Sequence, residues 1–317
     1  MKTSYYQYYD IEHVGLIKNK NNFCHNRKMR KEFALVFCVI FSLAIIKIMH
    51  NLPHFMSKEE FRAWLEADPD FWAASHNDIN LSVKNSRTPE EFLQLCMNYA
   101  TDFSWRQKLK LIAACKKAEN FFRTFGRSKY NIGFEGIDFN TLANMKWEFA
   151  CYKDREIEAG CPFTRMNVIH FCQPDLNDMS LQDLTRTVIH ERCHTYERLY
   201  PGDLEIWMKA KGFVRWKRSS EEPLYKNNPD NPPWIYKDFE GREMYMKFTS
   251  EKPKNFWAIH YPVDGVSASE SPYETLAYLL DYLYYRLNFY NQPTFLNKDH
   301  TYIDKFYDMS IFSSDTK

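Results

Sequence analysis

The sequence predicts an α+β protein: a mainly helical front half, a small sheet, and two long helices that carry the chemistry. Three observations lead there. Leu181–Leu199 (LQDLTRTVIHERCHTYERL) has no Pro or Gly until Pro201-Gly202. Leu181, Leu184, Val188 and Ile189 give it an apolar stripe, as one amphipathic helix requires. Just before it, Trp147–Tyr152 and Met166–Cys172 are short aromatic and β-branched runs that read as strands, with an antiparallel pairing expected. Upstream, Ser57, Thr88-Pro89 and Ser180 stand where helices need N-caps.

In chain order, residues 1–50 come first as a separate segment. They are polar, then basic (Lys18, Lys20, Arg27, Lys28, Arg30, Lys31), and then apolar from Phe33 to Ile46 with only Ser42 polar. A run of about fourteen residues is short for a spanning helix and fits the h-region of a signal peptide. The basic flank on its N-terminal side predicts export of the chain beyond residue 50, either secreted or anchored by residues 33–49. A start at Met29 would give an ordinary signal-peptide opening. Six cysteines lie beyond this run (Cys96, Cys115, Cys151, Cys161, Cys172, Cys193), an even number that suits an oxidising compartment. Cys172 with Cys193, and Cys151 with Cys161, are the pairings that local structure suggests. Asn80-Leu81-Ser82 is a glycosylation sequon.

Residues 51–144 form a helical region. Ser57 with Glu60 makes a capping box, and Pro89 opens a second helix. Trp105–Phe125 is a third, with Leu109, Ile112, Ala118, Phe121 and Phe122 on its apolar side and Gly126 as its stop. Nothing there suggests chemistry. The 25 Phe and 21 Tyr read as core. A net charge of +1 gives no field for nucleic acid, and the only membrane element is the N-terminal apolar segment. Residues 145–290 are expected to be the catalytic domain and 291–317 a tail. His170 lies among apolar neighbours, where it points into a cleft or sits as a core histidine.

Within Leu181–Leu199, His190, Glu191 and His194 spell H-E-x-x-H. A four-residue step slightly exceeds one helical turn, so both imidazoles share a face and can grip one ion. Glu191 beside them can take the proton of a water on that ion. Two imidazoles and a basic carboxylate are what a zinc hydrolase uses. Strand, short loop and H-E-x-x-H helix resemble the core of the zincin metallopeptidases, which implies a zincin-like fold over residues 145–290. It also implies Zn2+ as cofactor and a protein or peptide as substrate.

Glu274 is the expected third ligand, with Asp203 as the alternative. Glu274 lies in Ser269–Tyr278 (SESPYETLAY), at the start of an apolar helix. The form S-P-Y-E-x-x-A resembles the N/S-P-x-E-x-x-A segments of secreted gluzincins, although the thermolysin-like N-E-x-x-S-D pattern is not kept. Ser271 and Glu274 also form an S-x-x-E capping box, which would explain Glu274 without a metal. Asp203, nine residues after His194, resembles the ligand of the aspzincins, the deuterolysin and lysine-specific metalloendopeptidase group. The G-T-x-x-D signature of that group is absent, and Asp203 sits in a P-G-D turn. Glu270, one turn before Glu274, is a lesser option. His260 and Tyr261 are candidate donors to an oxyanion, and Asp281 a candidate orienter of a ligand imidazole. Pro223–Pro233 (PLYKNNPDNPP) reads as a loop placed to face substrate.

Overall fold

A computed structural model describes residues 52–68, 78–263, 265–289 and 302–307. The basic N-terminus and the apolar run 33–49 lie outside these residues, as does most of the tail. Among the described residues no helix is long and apolar enough to cross a membrane.

The chain enters on β1 (His54–Phe55) and α1 (Lys58–Ala67), then α2 (Asp78–Val83) and α3 (Pro89–Tyr99). Next come β2 (Ala100–Thr101), α4 (Trp105–Gly126) and α5 (Phe139–Asn144). A cluster of strands comes after them: β3 (Glu148–Tyr152), β4 (Phe163–Arg165) and β5 (Val168–Cys172). Then come α6 (Gln173–Asp178), α7 (Leu181–Leu199) and α8 (Pro201–Ala210). The strands β6 (Val214–Arg218), β7 (Trp234–Lys237) and β8 (Glu243–Met244) form a second sheet, and β9 (Lys247–Phe248) pairs with β10 (Ile259–His260). The helix α9 (Pro272–Phe289) comes last in this series. The architecture is mixed α+β, as predicted.

The helix starts are set by their caps. Ser57 and Ser104 each accept a bond from the third helical N–H, and Glu60 and Gln107 reach back in turn. Ser180 Oγ accepts from Asp183 N at 3.1 Å. These pairings satisfy amides that the first turn leaves open. α4 stops at Gly126, where expected; a Cβ on this last helical residue would meet Phe139 Cβ at 2.5 Å, so close packing of α5 requires glycine there. Leu109, expected on the apolar side, is exposed; the buried face runs through Leu111, Ala114, Ala118 and Phe122.

The main sheet has the order β1-β3-β5-β4, with β2 also paired to β3. The expected antiparallel pairing of the two predicted strands is not formed: β3 and β5 run parallel, with Phe149 opposite Ile169. The reason is the short β4 between them. It forms the hairpin with β5, turning at Met166 with φ 50°, and this extra strand reverses the direction of β5. The edge of the sheet is therefore β4.

The front region belongs to this same body. Both β1 and β2 pair with β3, and residues Pro53–Lys317 make one compact unit. The main core lies between one sheet face and the helices α4, α7 and α9. Phe149, Cys151, Ile169 and Phe171 point into it. Strand alternation sends Ala150, Tyr152, Val168 and Cys172 to the other face, under Phe61, Leu65 and Phe92. His170 goes with them. It is fully buried and stacks on Phe163 at 4.5 Å, away from the α7 side of the sheet.

The same alternation bears on the cysteines. All six are free thiols. Cys172 and Cys193 lie in different apolar clusters on opposite faces of the sheet, so the expected staple between them is not made. Asn80, the sequon residue, is also internal. It is 1% exposed; its Nδ2 donates to Tyr225 O (3.0 Å) and its Oδ1 accepts from Asn227 N (2.9 Å), so its amide is committed.

Candidate metal centre

Two helices packed on each other build the site. α7 brings His190 and His194 to one face, four residues apart, and the first turn of α9 brings Glu274 against them. The two Nε2 atoms lie 3.1 Å apart. Glu274 Oε2 is 3.3 Å from His190 Nε2, and Oε1 is 3.6 Å from His194 Nε2. One donor atom from each residue falls within 4.8 Å of the others. Ser271 Oγ accepts from Glu274 N at 3.1 Å, so serine does cap α9. The glutamate carboxylate instead turns to the histidines. Asn228 Nδ2 holds it from the other side, donating to Oε1 at 2.8 Å.

Neighbouring side chains hold His194, His190 and Glu191 in place. His194 Nδ1 faces Glu197 Oε2 at 2.9 Å, and both side chains are fully buried. With its proton on Nδ1, His194 presents the lone pair of Nε2 to the centre. His190 is held edge-on by the Tyr278 ring, 4.7 Å between centroids. Glu191 lies beside the pair, 3% exposed, and Thr164 Oγ1 on the edge strand donates to its Oε2 at 2.8 Å.

Burial and charge shift these groups strongly. Burial drives the His194 imidazole down to about 4, so it is neutral at ordinary pH. Burial also opposes charge on His190, but the Glu274 carboxylate outweighs it and raises that imidazole to about 10. Burial disfavours the Glu274 anion, yet His194, His190 and Asn228 together hold it below the usual carboxylate range. Glu191 is pushed up to about 7, first by burial, against the pull of His190 and Thr164. Asp230 and Glu270 are each raised to about 8, chiefly by burial and then by Glu191 and Glu274 respectively. A buried group of carboxylates around two imidazoles is an environment that positive charge would stabilise.

The donor set fits a divalent cation of borderline softness. Two imidazole nitrogens and one carboxylate come together beside a cavity of about 240 Å³ that His190 and Glu274 line. Glu191, Lys226, Asp230 and Tyr261 also line that cavity. Two imidazoles and a carboxylate are a donor set that a zinc ion can take.

No family model, no curated protein and no solved structure matches this chain.

The other sequence-selected residues fall in different places. Asp203 is outside the cluster: its Oδ2 accepts from Tyr196 Oη, and Tyr196 points into the main core, away from the face of α7 that carries the histidines. Asp281 pairs with Arg186 (Nε to Oδ1, 2.5 Å) and touches neither imidazole; it ties α9 to α7. Glu270 lines the cavity but accepts from Asn231 Nδ2 at 2.8 Å and is not in the cluster. Tyr261 lines the cavity, its hydroxyl 3.3 Å from Ser267 Oγ. His260 does not. It is exposed on β10, because successive strand residues face opposite ways and Ile259 and Tyr261 take the cavity side.

Five residues that matter here were not singled out from sequence: Thr164, Glu197, Lys226, Asn228 and Asp230. Glu197 had a local signal, an acid three residues after His194 on the same helix. Lys226, Asn228 and Asp230 lie in the loop already read as facing substrate, but nothing local picked them out within it, and Thr164 had no signal, because its partners lie tens of residues away. The Pro223–Pro233 segment is a loop as expected, and Lys226, Asn228, Pro229 and Asp230 line the cavity. Asp230 Oδ1 accepts from Thr164 N at 2.5 Å on the sheet edge, and Asn228 holds Glu274.

Proposed function

We propose that this chain is a zinc-dependent metalloendopeptidase on a gluzincin-like site, with His190, His194 and Glu274 as the ligands of Zn2+. The observation that carries this reading is the convergence of three donor atoms within 4.8 Å, from two helices, on the wall of a cavity that also holds Glu191. The placement of Asp203 against Tyr196 weighs against the aspzincin alternative.

Bound zinc supplies an acidified water and a polarised carbonyl. The chain's own residues do the rest. Glu191 is the general base, raised to about 7 and so poised to take a proton near neutral pH and return it to the leaving amine. Thr164 fixes the carboxylate through Oε2. Glu197 fixes the tautomer of His194. Tyr261 is the oxyanion donor of this reading, and His260 is left out of it. Under the same reading the catalytic body is exported, secreted or anchored by residues 33–49.

Metal analysis of purified protein, with turnover of a quenched peptide library, tests the proposal. Wild type should carry about one zinc per chain and cleave. Glu274→Ala should lose the metal and Asp203→Ala should keep it. Glu191→Gln should keep the metal and lose turnover by about a thousandfold or more. Tyr261→Phe should keep the metal and lose about a hundredfold in kcat. Folded wild type without zinc would end the proposal; zinc without peptide turnover would favour a binding protein or a hydrolase of other substrates.

A further inference from the structure

Lys226 occupies the same 240 Å³ cavity as His190, Glu191 and Glu274 and is only 4% exposed. Its position is fixed. Its backbone N–H donates to Met246 O at 2.9 Å, and the next residue is clamped by Asn80. Its Nζ stands 3.7 Å from the centroid of the Phe256 ring.

Two carboxylates, Glu158 and Glu270, are near enough to attract the ammonium, but neither makes an ion pair with it within 4 Å. Glu158 pairs with Lys84, both buried. Glu270 accepts from Asn231, and Glu274 is held by the histidines and Asn228. Among the described residues, Lys226 Nζ has no ion-pair partner within 4 Å. A buried ammonium without a contacting counter-ion is costly, and distant carboxylates and an aromatic face offset only part of that cost. An incoming carboxylate would complete the site. An aliphatic side chain in the same place would leave the ammonium buried and unpaired, so it would be disfavoured.

We propose that Lys226 is a specificity-determining residue that binds a substrate carboxylate beside the scissile bond. This rests on the peptidase reading and adds the substrate class. Two sources share the chemistry: an Asp or Glu side chain, or the free C-terminus of a short peptide.

The test uses the full chain loaded with zinc and two pairs of quenched peptides. One pair differs only by Glu against Gln next to the scissile bond, the other only by a free against an amidated C-terminus. Wild type should favour the carboxylate member of one pair by about tenfold or more in kcat/KM, and the pair that responds identifies the source. Lys226→Met should bring that ratio to about one; Lys226→Arg should keep most of it. Titration calorimetry of the same peptides onto Glu191→Gln protein reads binding without turnover. The preference should appear there as a ratio of Kd values and vanish in the Glu191→Gln, Lys226→Met double variant. Turnover without preference, or a preference that survives Lys226→Met, would overturn the carboxylate site and leave the peptidase standing. Binding preference without any turnover of wild type would do the reverse.

Discussion

Glu197 decides which nitrogen of His194 faces the centre. Its Oε2 lies 2.9 Å from Nδ1, and neither side chain has any exposure. Burial drives this carboxyl well above its usual range, toward keeping its own proton, and a cation at the centre would favour the anion that accepts from His194 Nδ1. Glu197→Gln keeps the shape but removes the charge that orients the imidazole. It should weaken zinc binding by about 10–100-fold, measured by competition with a chelator of known affinity. Unchanged affinity would mean that Glu197 only fills space. At this scale the H-E-x-x-H spacing was legible in the sequence, because the four-residue step is a property of the helix alone. The choice of Glu274 over Asp203 was not. Both carboxylates sit in plausible local contexts, and only the packing of α9 on α7 separates them.

The x positions of H-E-x-x-H show how the element is held. Arg192 is fully buried. Its Nε donates to Leu142 O (3.0 Å), Nη1 to Lys146 O (2.8 Å) and Nη2 to Met145 O, while the guanidinium lies 3.9 Å over the Trp147 ring. These carbonyls belong to the C-terminal end of α5 and the segment leading into β3, where the backbone has acceptors to spare. One side chain thus ties α7 to the entry of the sheet. Lysine has a single point of attachment and no planar fork. Arg192→Lys should therefore cost about 3 kcal/mol, read as a lower urea midpoint at unchanged m-value. A loss below about 0.5 kcal/mol would show that the three bonds are replaceable by water. Helix limits were legible here, since caps such as Ser180 with Asp183 are local. Strand direction was not: β4 is three residues long, and it alone makes β3 and β5 parallel.

Across the whole molecule the site is a concentration of buried charge in one compact unit. In metal-free protein, Glu191 is raised to about 7, Asp230 and Glu270 to about 8, and His190 to about 10. Each then binds more protons folded than unfolded at pH 6.5–8. Stability from such groups is complete below their unfolded values and is lost as pH rises through the folded ones. His194 shifts the opposite way, to about 4, and Lys226 to about 8 from a higher value, but their windows lie below and above this range. Metal-free protein should therefore melt at a lower temperature at pH 8 than at pH 6.5. Under the metal-centre proposal, zinc should raise the melting temperature and flatten this slope. Thermal melts at both pH values with and without zinc check this; a metal-free protein more stable at pH 8 would contradict it.

By itself the sequence determined what is local: the length and caps of α7, the shared face of His190 and His194, and the start of α9 at Ser271 and Pro272. Caps, periodicity and i to i+4 geometry are decided within a turn or two of helix. Only the tertiary structure decided that Glu274 meets the histidines, that Thr164 and Glu197 hold Glu191 and His194, and that Asn80 and His170 are internal. It also put Cys172 and Cys193 on opposite sheet faces and tied the Pro223–Pro233 loop to the sheet edge and to Glu274. Each of these depends on which sheet face or helix a residue meets, and the meeting partners are set by packing across separations that no local pattern encodes.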